Sequence, residues 1–511
     1  TGEARVPAKQ QRKTNPKHTH KTHDMLPKSA ITTANRLSKA AKNLGVRSLS
    51  SGGMLSVDNP YTLDTYCQVP MKDQKEALSD VDASAKIQKE WASVPLEKRL
   101  DIVNRFMDKL KENKESIAKD ISGMMGKPLN QALGEVNGVM ERVETMCRLA
   151  PEALKDEVLP EKAGFFRKVA KEPVGVVLVV APWNYPLLTS VNSIIPAILS
   201  GNSVIIKHSS RTPLCADHFE TAFLEAGAPE GLVKAMHTGH PEVDAVIKHP
   251  EIGFVAFTGS VPGGHQVYKS VSSRFIDTTL ELGGKDPGYV AADADVDAAV
   301  ETLVDGAFYN AGQSCCGIER VYVHESHYDT FLSKAEKIVS GYTLGDPMDG
   351  NTTVGPLAQP NSVDFLHSQV VSAQKAGATI LTGGSPTTDA SGNGRFFMPT
   401  LAANCDHTMD IMKEESFGPV LGVMPVKSDE EAVQLMNDSD YGLTAVIFSK
   451  SEERAMSLAP KIQTGTVFMN RCDYLDPELP WTGVKDTGKG VSLSSHGFKA
   501  FNRLKGYHFK L

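Results

Sequence analysis

Residues Val174–Ser209 read "VGVVLVVAPWNYPLLTSVNSIIPAILSGNSVIIKHS". The opening "VGVVLVVAP" is a short apolar, β-branched run closed by a proline, the pattern of a strand buried on both faces. "LLTSVNSIIPAILSG" is long enough for a helix, and "NSVIIKHS" returns to strand. Strand, helix and strand in such short compass predict a parallel βαβ unit. The alternation continues through "CADHFETAFLEAG" (helix), "LVKAMHTG" (strand), "PEVDAVIKH" (helix) and "IGFVAFTGS" (strand). A second alternating set follows Leu282: "GAFYNAG", "RVYVHES", "YDTFLSKAEKIVSG", "ATILTGG", "PVLGVMPV", "DEEAVQLMND", "TAVIFS" and "TGTVFMN". Upstream, Ala85, Ile87, Trp91, Leu100, Ile102, Val103, Phe106 and Leu110 recur at helical spacing among lysines and glutamates, so residues 81–126 predict surface-lying amphipathic helices. The class is α/β: two doubly wound α/β domains in series behind a helical lead-in.

A chain of 511 residues is too long for one simple core, which agrees with more than one domain. A formal net charge of −7 argues against nucleic acid or a membrane surface as a general partner. The apolar run Val174–Ala181 falls far short of the ~20 residues a spanning helix needs. The seven cysteines form no CxxC pair, which suits free thiols in a reducing compartment, and no Cys/His spacing reads as a metal site.

The first 56 residues predict a disordered tail. Within it, Met25–Ser51 carries five basic residues and no acid, with Ala34, Leu37, Ala41 and Leu44 on one helical side and Arg36, Lys39 and Lys42 on the other. That is the signature of an organellar import peptide, so the expected location is the mitochondrial matrix, with the cytoplasm or another organelle as the alternative. Residues 1–24, polar and His-rich without an initiating Met, read as untranslated read-through or a cloning remnant and take no part in the fold.

Four stretches carry chemistry. "PWNYP" (Pro182–Pro186) ends a buried strand, where doubly wound sheets place ligand-binding loops. "FTGSVPGG" (Phe257–Gly264) runs from strand into helix, with Ser260 at the cap and Pro262 in the first turn, offering free N–H groups to a diphosphate. "LELGGKDP" (Leu280–Pro287) sets Glu281 before two glycines. "FYNAGQSC" ends on Cys315.

In this order the four resemble the aldehyde dehydrogenase superfamily, over essentially all of Asn59–Leu511. "GKP" at Gly126, "EPVGVV" at Glu172, "GDP" at Gly345, "GPL" at Gly355, "EESFGPV" at Glu414 and "WTGVKDTGKG" at Trp481 extend the likeness. The resemblance implies a Rossmann-like NAD(P)-binding domain (57–152 and 174–281) and a catalytic domain (282–499). It also implies a β-hairpin oligomerisation element (153–173 with 500–511) serving a homodimer or homotetramer. The small-molecule substrate would be an aldehyde. Cys315 is then the nucleophile, Asn184 and the Cys315 N–H stabilise the alkoxide, and Glu281 activates the water that hydrolyses the thioester. For NAD or NADP the resemblance assigns Trp183, Gly259, Ser260 and Gly264 to the pyrophosphate and Lys207 to the adenosine ribose. It gives Glu415 to the nicotinamide ribose, with Phe417 and Leu282 beside it. Where the family often reads K-P-S-E, this chain reads Lys207-His208-Ser209-Ser210, so Ser210 replaces the usual ribose-binding acid and NADP is expected to be accepted. Arg211 is a further candidate for positive charge there.

Trp481 and Arg471 fall in the segment that lines the substrate funnel in relatives; an arginine there would suit an ω-carboxylate. Cys316 reads as packing, with transient pairing to Cys315 under oxidation as the alternative. Two other functions stay open: a CoA-acylating semialdehyde dehydrogenase, which the presence of Glu281 disfavours, and a catalytically silent structural relative.

Overall fold

The computed structural model describes residues 53–472 and 474–511. The expected import segment lies outside them.

Two sheets carry the fold. In the first, the strands Val233–Ala235, Ser203–His208, Val176–Ala181, Ile252–Thr258 and Asp277–Glu281 lie parallel in that spatial order, with Gly488–Lys489 antiparallel at one edge. The second has seven strands. Thr400–Ala403, Val420–Val426, Ile318–His324, Asp286–Val290, Thr444–Phe448 and Thr466–Met469 are parallel, and Thr379–Thr382 is an antiparallel edge. The deciding run of sequence forms the strand–helix–strand unit it predicts: Val176–Ala181, Leu188–Leu199 and Ser203–His208. All six residues of Ser203–His208 are buried, because helices cover both faces of the sheet. Each apolar side chain sequestered there contributes about 1.5–3 kcal/mol.

The lead-in residues form helices Gln74–Trp91, Leu96–Glu112 and Lys114–Met125. Asp73 caps the first by accepting from the Glu76 N–H, while the Glu76 side chain answers back to the Asp73 N–H. Helix Leu129–Ala153 was not expected and follows directly. Nor was strand Asp286–Val290, whose Asp-Pro-Gly start has poor β propensity. Tertiary pairing overrides that: it is buried throughout, has a partner on each side, and the Asp286 carboxylate accepts from the Thr444 N–H (3.0 Å) and hydroxyl (2.5 Å). "GAFYNAG" is not one element; it spans the end of helix Val296–Phe308 and a single 3₁₀ turn, Tyr309–Gly312. "LVKAMHTG" keeps only Val233–Ala235 as strand, because His237 and Thr238 turn aside to bond Lys72.

A three-stranded sheet stands apart. Asn502–Lys510 pairs residue by residue with Phe165–Pro173, which also pairs with Glu157–Val158, so the last residues join the expected hairpin.

In the first sheet the chain steps outward from Val176–Ala181 in both directions. The order therefore reverses between that strand and Ile252–Thr258, and the loops leaving their carboxyl ends are "PWNYP" and "GSVPGG". The second sheet meets the same cleft with its strand beginnings: Lys285 precedes one, Cys315 another, and Glu415–Phe417 a third.

Candidate active site

Cys315 follows a left-handed turn. Asn310, Ala311 and Gly312 have φ of 54°, 55° and 70°. For the two residues with side chains this conformation is costly, of order 1–3 kcal/mol each, and persists only where the surroundings over-determine it. They do so here. Gln131 Oε1 accepts from the Asn310 N–H (3.0 Å), and Asn310 Nδ2 donates to the carbonyls of Asn184 (3.2 Å) and Gln313 (3.1 Å). Gln313 Nε2 returns to the Asn310 carbonyl at 3.1 Å, while its Oε1 takes the Ala358 N–H at 2.9 Å. Gly312 packs so closely on the Gly418 carbonyl that a Cβ would collide with it. The Asn310–Asn184 bond ties the cysteine loop to "PWNYP". The Cys315 N–H has no acceptor among the described residues, which leaves a donor beside the thiol.

Glu281 ends strand Asp277–Glu281 and lines one cavity of about 570 Å³ with Cys315, Cys316, Thr258, Arg142 and Trp481. Its Oε1 accepts from Ser492 Oγ at 2.6 Å and its Oε2 from Thr258 Oγ1 at 3.3 Å. Burial pushes the Glu281 carboxyl above the usual range; the two hydroxyls and the positive Arg142 pull the other way without cancelling it. Four residues then cross to the second sheet, and the two glycines among them have no room for a side chain: a Cβ on Gly284 would strike the Cys315 carbonyl oxygen, and one on Gly283 the Glu415 carboxylate.

The opposite side of the cleft is shaped for a dinucleotide. Ser260 caps helix Val261–Val271 by accepting the Gly263 N–H, and a Cβ on Gly264 would lie 2.6 Å from Leu282. Trp183 stands edge-on to Phe417, ring centroids 5.4 Å apart. Glu415 faces Gly283 and accepts the Gly284 N–H at 2.9 Å; burial, and then Glu319 nearby, push its carboxyl up to about 8. Lys207 is buried at the end of its strand, and burial draws its ammonium down to about 8. These residues fit NAD(P): a bare helix start for the diphosphate, glycines for close approach, and a lysine and a glutamate for the two riboses.

A sequence profile of the aldehyde dehydrogenase family matches residues 48–506. The chain belongs to the aldehyde dehydrogenase family. It is therefore an NAD(P)-dependent oxidoreductase acting on aldehydes. It is 33% identical to succinate-semialdehyde dehydrogenase [NADP(+)] of Deinococcus radiodurans over 88% of this chain and 93% of that one. It is 32% identical to D-glyceraldehyde dehydrogenase (NADP(+)) of Thermoplasma acidophilum over 90% and 93%. Betaine aldehyde dehydrogenase of Staphylococcus aureus, solved in complex with NAD+, superposes with a TM-score of 0.86 at 30% identity, over 93% and 97% of the two chains.

Within this aldehyde dehydrogenase the cavity brings together Cys315, Glu281 and Trp481. Asn184 is buried next to it but does not form its wall. Arg471 does not belong to the cavity either: it is exposed and stacks on Tyr474 at 4.2 Å, because the cavity-facing position goes to Tyr474 itself. Arg211 is likewise withdrawn from the cofactor side, fully buried in an ion pair with Asp58. Cys316 is buried, its sulfur 3.5 Å from Ser314 Oγ. Sequence reasoning missed Arg142, Ser492, Thr258 and Glu319. Glu319 takes the N–H groups of Ser416 (2.8 Å) and Phe417 (2.9 Å) and the ammonium of Lys285 (2.6 Å), and so shapes the "ESFGP" loop. Its only sequence signal is an acid next to Arg320 near the start of a largely apolar strand. Among the described residues no group of three or more His, Cys, Asp or Glu could hold a metal ion.

Proposed function

We propose that the enzyme oxidises an aldehyde to the free carboxylic acid through a thioester on Cys315. The Cys315 thiolate attacks the carbonyl carbon, and the resulting alkoxide accepts from the unpartnered Cys315 N–H and the side-chain amide of Asn184. Bound NAD(P) supplies the hydride acceptor, held by Lys207, Ser260, Glu415 and the Trp183–Phe417 pair. Glu281, whose carboxylate faces the same cavity, takes a proton from water and directs it onto the thioester. The observation that carries this reading is the shared cavity of Cys315 and Glu281, with Glu281 held by hydroxyls alone and so free to accept a proton.

The test is a pre-steady-state measurement. Glu281→Gln should release about one equivalent of NAD(P)H per site and then turn over at least a hundredfold more slowly, general-base catalysis being worth about 10²–10⁴-fold. Wild-type turnover that depends strictly on added CoA would overturn hydrolysis. The three-stranded sheet, with Val158, Leu504 and Leu511 70–84% exposed, is proposed as the face that a second copy covers.

A further inference from the structure

Arg142 lines the cavity of Cys315 and Glu281, and the proposed chemistry leaves it without a task. It stands on helix Leu129–Ala153 and is 8% exposed. Nη1 donates to the Leu188 carbonyl at 2.6 Å and to Asn192 Oδ1 at 3.0 Å, which clamps the guanidinium against helix Leu188–Leu199. Neither Nε nor Nη2 has an acceptor, and no carboxylate lies within 4 Å, among the described residues.

Apart from Lys207, which is buried on the nucleotide side without a counter-charge, the other buried cations are treated differently. Lys127 is paired with Glu135, Arg211 with Asp58 and Lys285 with Glu319. Arg320 lacks an ion pair but spends all three nitrogens on carbonyls and a hydroxyl. Nε and Nη2 are not among the buried polar atoms that lack a partner, so they open onto the cavity, and the two bonds from Nη1 do not account for them. The nearest acids are already engaged: Glu281 by Ser492 and Thr258, and Glu135 by Lys127 and the N–H groups of Leu187 (2.9 Å) and Leu188 (3.3 Å). Glu141, at the exposed rim, takes the Tyr474 hydroxyl at 2.7 Å.

We propose that Arg142 binds a carboxylate on the substrate, so that the aldehydes this enzyme prefers carry a carboxylate at the end away from the carbonyl. This rests on the oxidation proposed above. The free edge of one guanidinium is a planar fork that matches one carboxylate. Surrounded by Glu281, Glu135 and Glu141, a single positive charge is a poor receptor for a doubly charged phosphate.

The experiment compares kcat/KM for 4-oxobutanoate and for pentanal, a neutral aldehyde of similar length. That ratio covers steps only up to the first irreversible one, so effects on the Glu281 water step cancel. Wild type should favour 4-oxobutanoate at least tenfold. Arg142→Gln should lose that preference, and Arg142→Lys should keep part of it. If Arg142→Gln fails to fold, competitive inhibition of wild type by succinate against pentanal serves instead, and its absence would overturn the proposal. So would equal wild-type kcat/KM for the two aldehydes, a preference retained in Arg142→Gln, or a stronger preference for a phosphorylated aldehyde. Failure to oxidise any aldehyde with either nucleotide would instead defeat the underlying reading of the reaction.

Discussion

Glu281 sits between two hydroxyls of unequal reach, and the shorter bond, from Ser492 at 2.6 Å, favours its ionised form. Burial raises the carboxyl; Ser492 restrains that rise. A base works only when deprotonated, so thioester hydrolysis should gain rate as pH climbs through the raised Glu281 range. Ser492→Ala removes a hydrogen bond to a charged group, worth about 1.5–3 kcal/mol. The acidic limb of kcat should then move to higher pH, slowing turnover about tenfold at neutral pH, with the NAD(P)H burst intact and Ser492→Thr restoring the profile. A burst lost together with kcat would place Ser492 in the first half-reaction instead. A second residue-scale prediction concerns the nucleotide. Ser210 is half-buried beside Lys207, whereas Arg211 is spent on Asp58. Positive charge for a 2′-phosphate would therefore come from Lys207, as proposed above; burial and Lys207 together lower the nearby His240 below the usual imidazole range. Ser210→Glu should raise KM for NADP tenfold or more through like-charge repulsion while kcat changes little. Steady-state kinetics with both nucleotides will decide; an unchanged KM would mean that another group governs the phosphate.

The elements that build the site are held from outside it. Strand Met54–Asp58 ends on a carboxylate that accepts from Arg211, at the end of the ribose loop, and from Arg395 at 2.5 Å. Burial works against that charge, but the two guanidinium groups outweigh it and hold Asp58 below the usual carboxylate range. Asp58→Asn leaves two arginines short of a counter-charge, one of them fully buried. Breaking such a pair costs about 3–5 kcal/mol. The expected result is a clear fall in Tm and a raised KM for NAD(P), because the Lys207–Ser210 loop loses its anchor. Since the folded-state pKa of Asp58 is depressed, its contribution is present above the unfolded value and disappears as pH falls through the folded one. The Tm gap between wild type and Asp58→Asn should therefore close in acid, and a gap of constant size would show that the loss is one of packing.

At the scale of the whole molecule, the sheet Glu157–Val158, Phe165–Pro173 and Asn502–Lys510 is the face proposed for a second copy. Leu504→Glu with Phe509→Glu should lower the mass measured by light scattering towards one chain, with the cavity unaffected; an unchanged oligomer would point to another face. The family and the two α/β layers were legible in the sequence, because buried parallel strands must be continuously apolar; Cys315 and Glu281 were singled out by the resemblance of their motifs to that family. The resemblance also marks Trp183, Ser260 and Glu415, in loops at strand and helix ends, and Lys207 near the end of its strand. The sequence could not reveal Arg142, Ser492 or Glu319. Each lies in an unremarkable stretch, and its significance depends on a partner between 50 and 211 residues away. Nor could it show that Arg471 faces solvent and Arg211 faces Asp58, since composition records a charge but not its counter-charge. Local pattern determined most of the elements, though not helix Leu129–Ala153 or strand Asp286–Val290, whose signals are weak on their own. Only tertiary packing decided which charges were paired and which, like Arg142, were left facing the cavity.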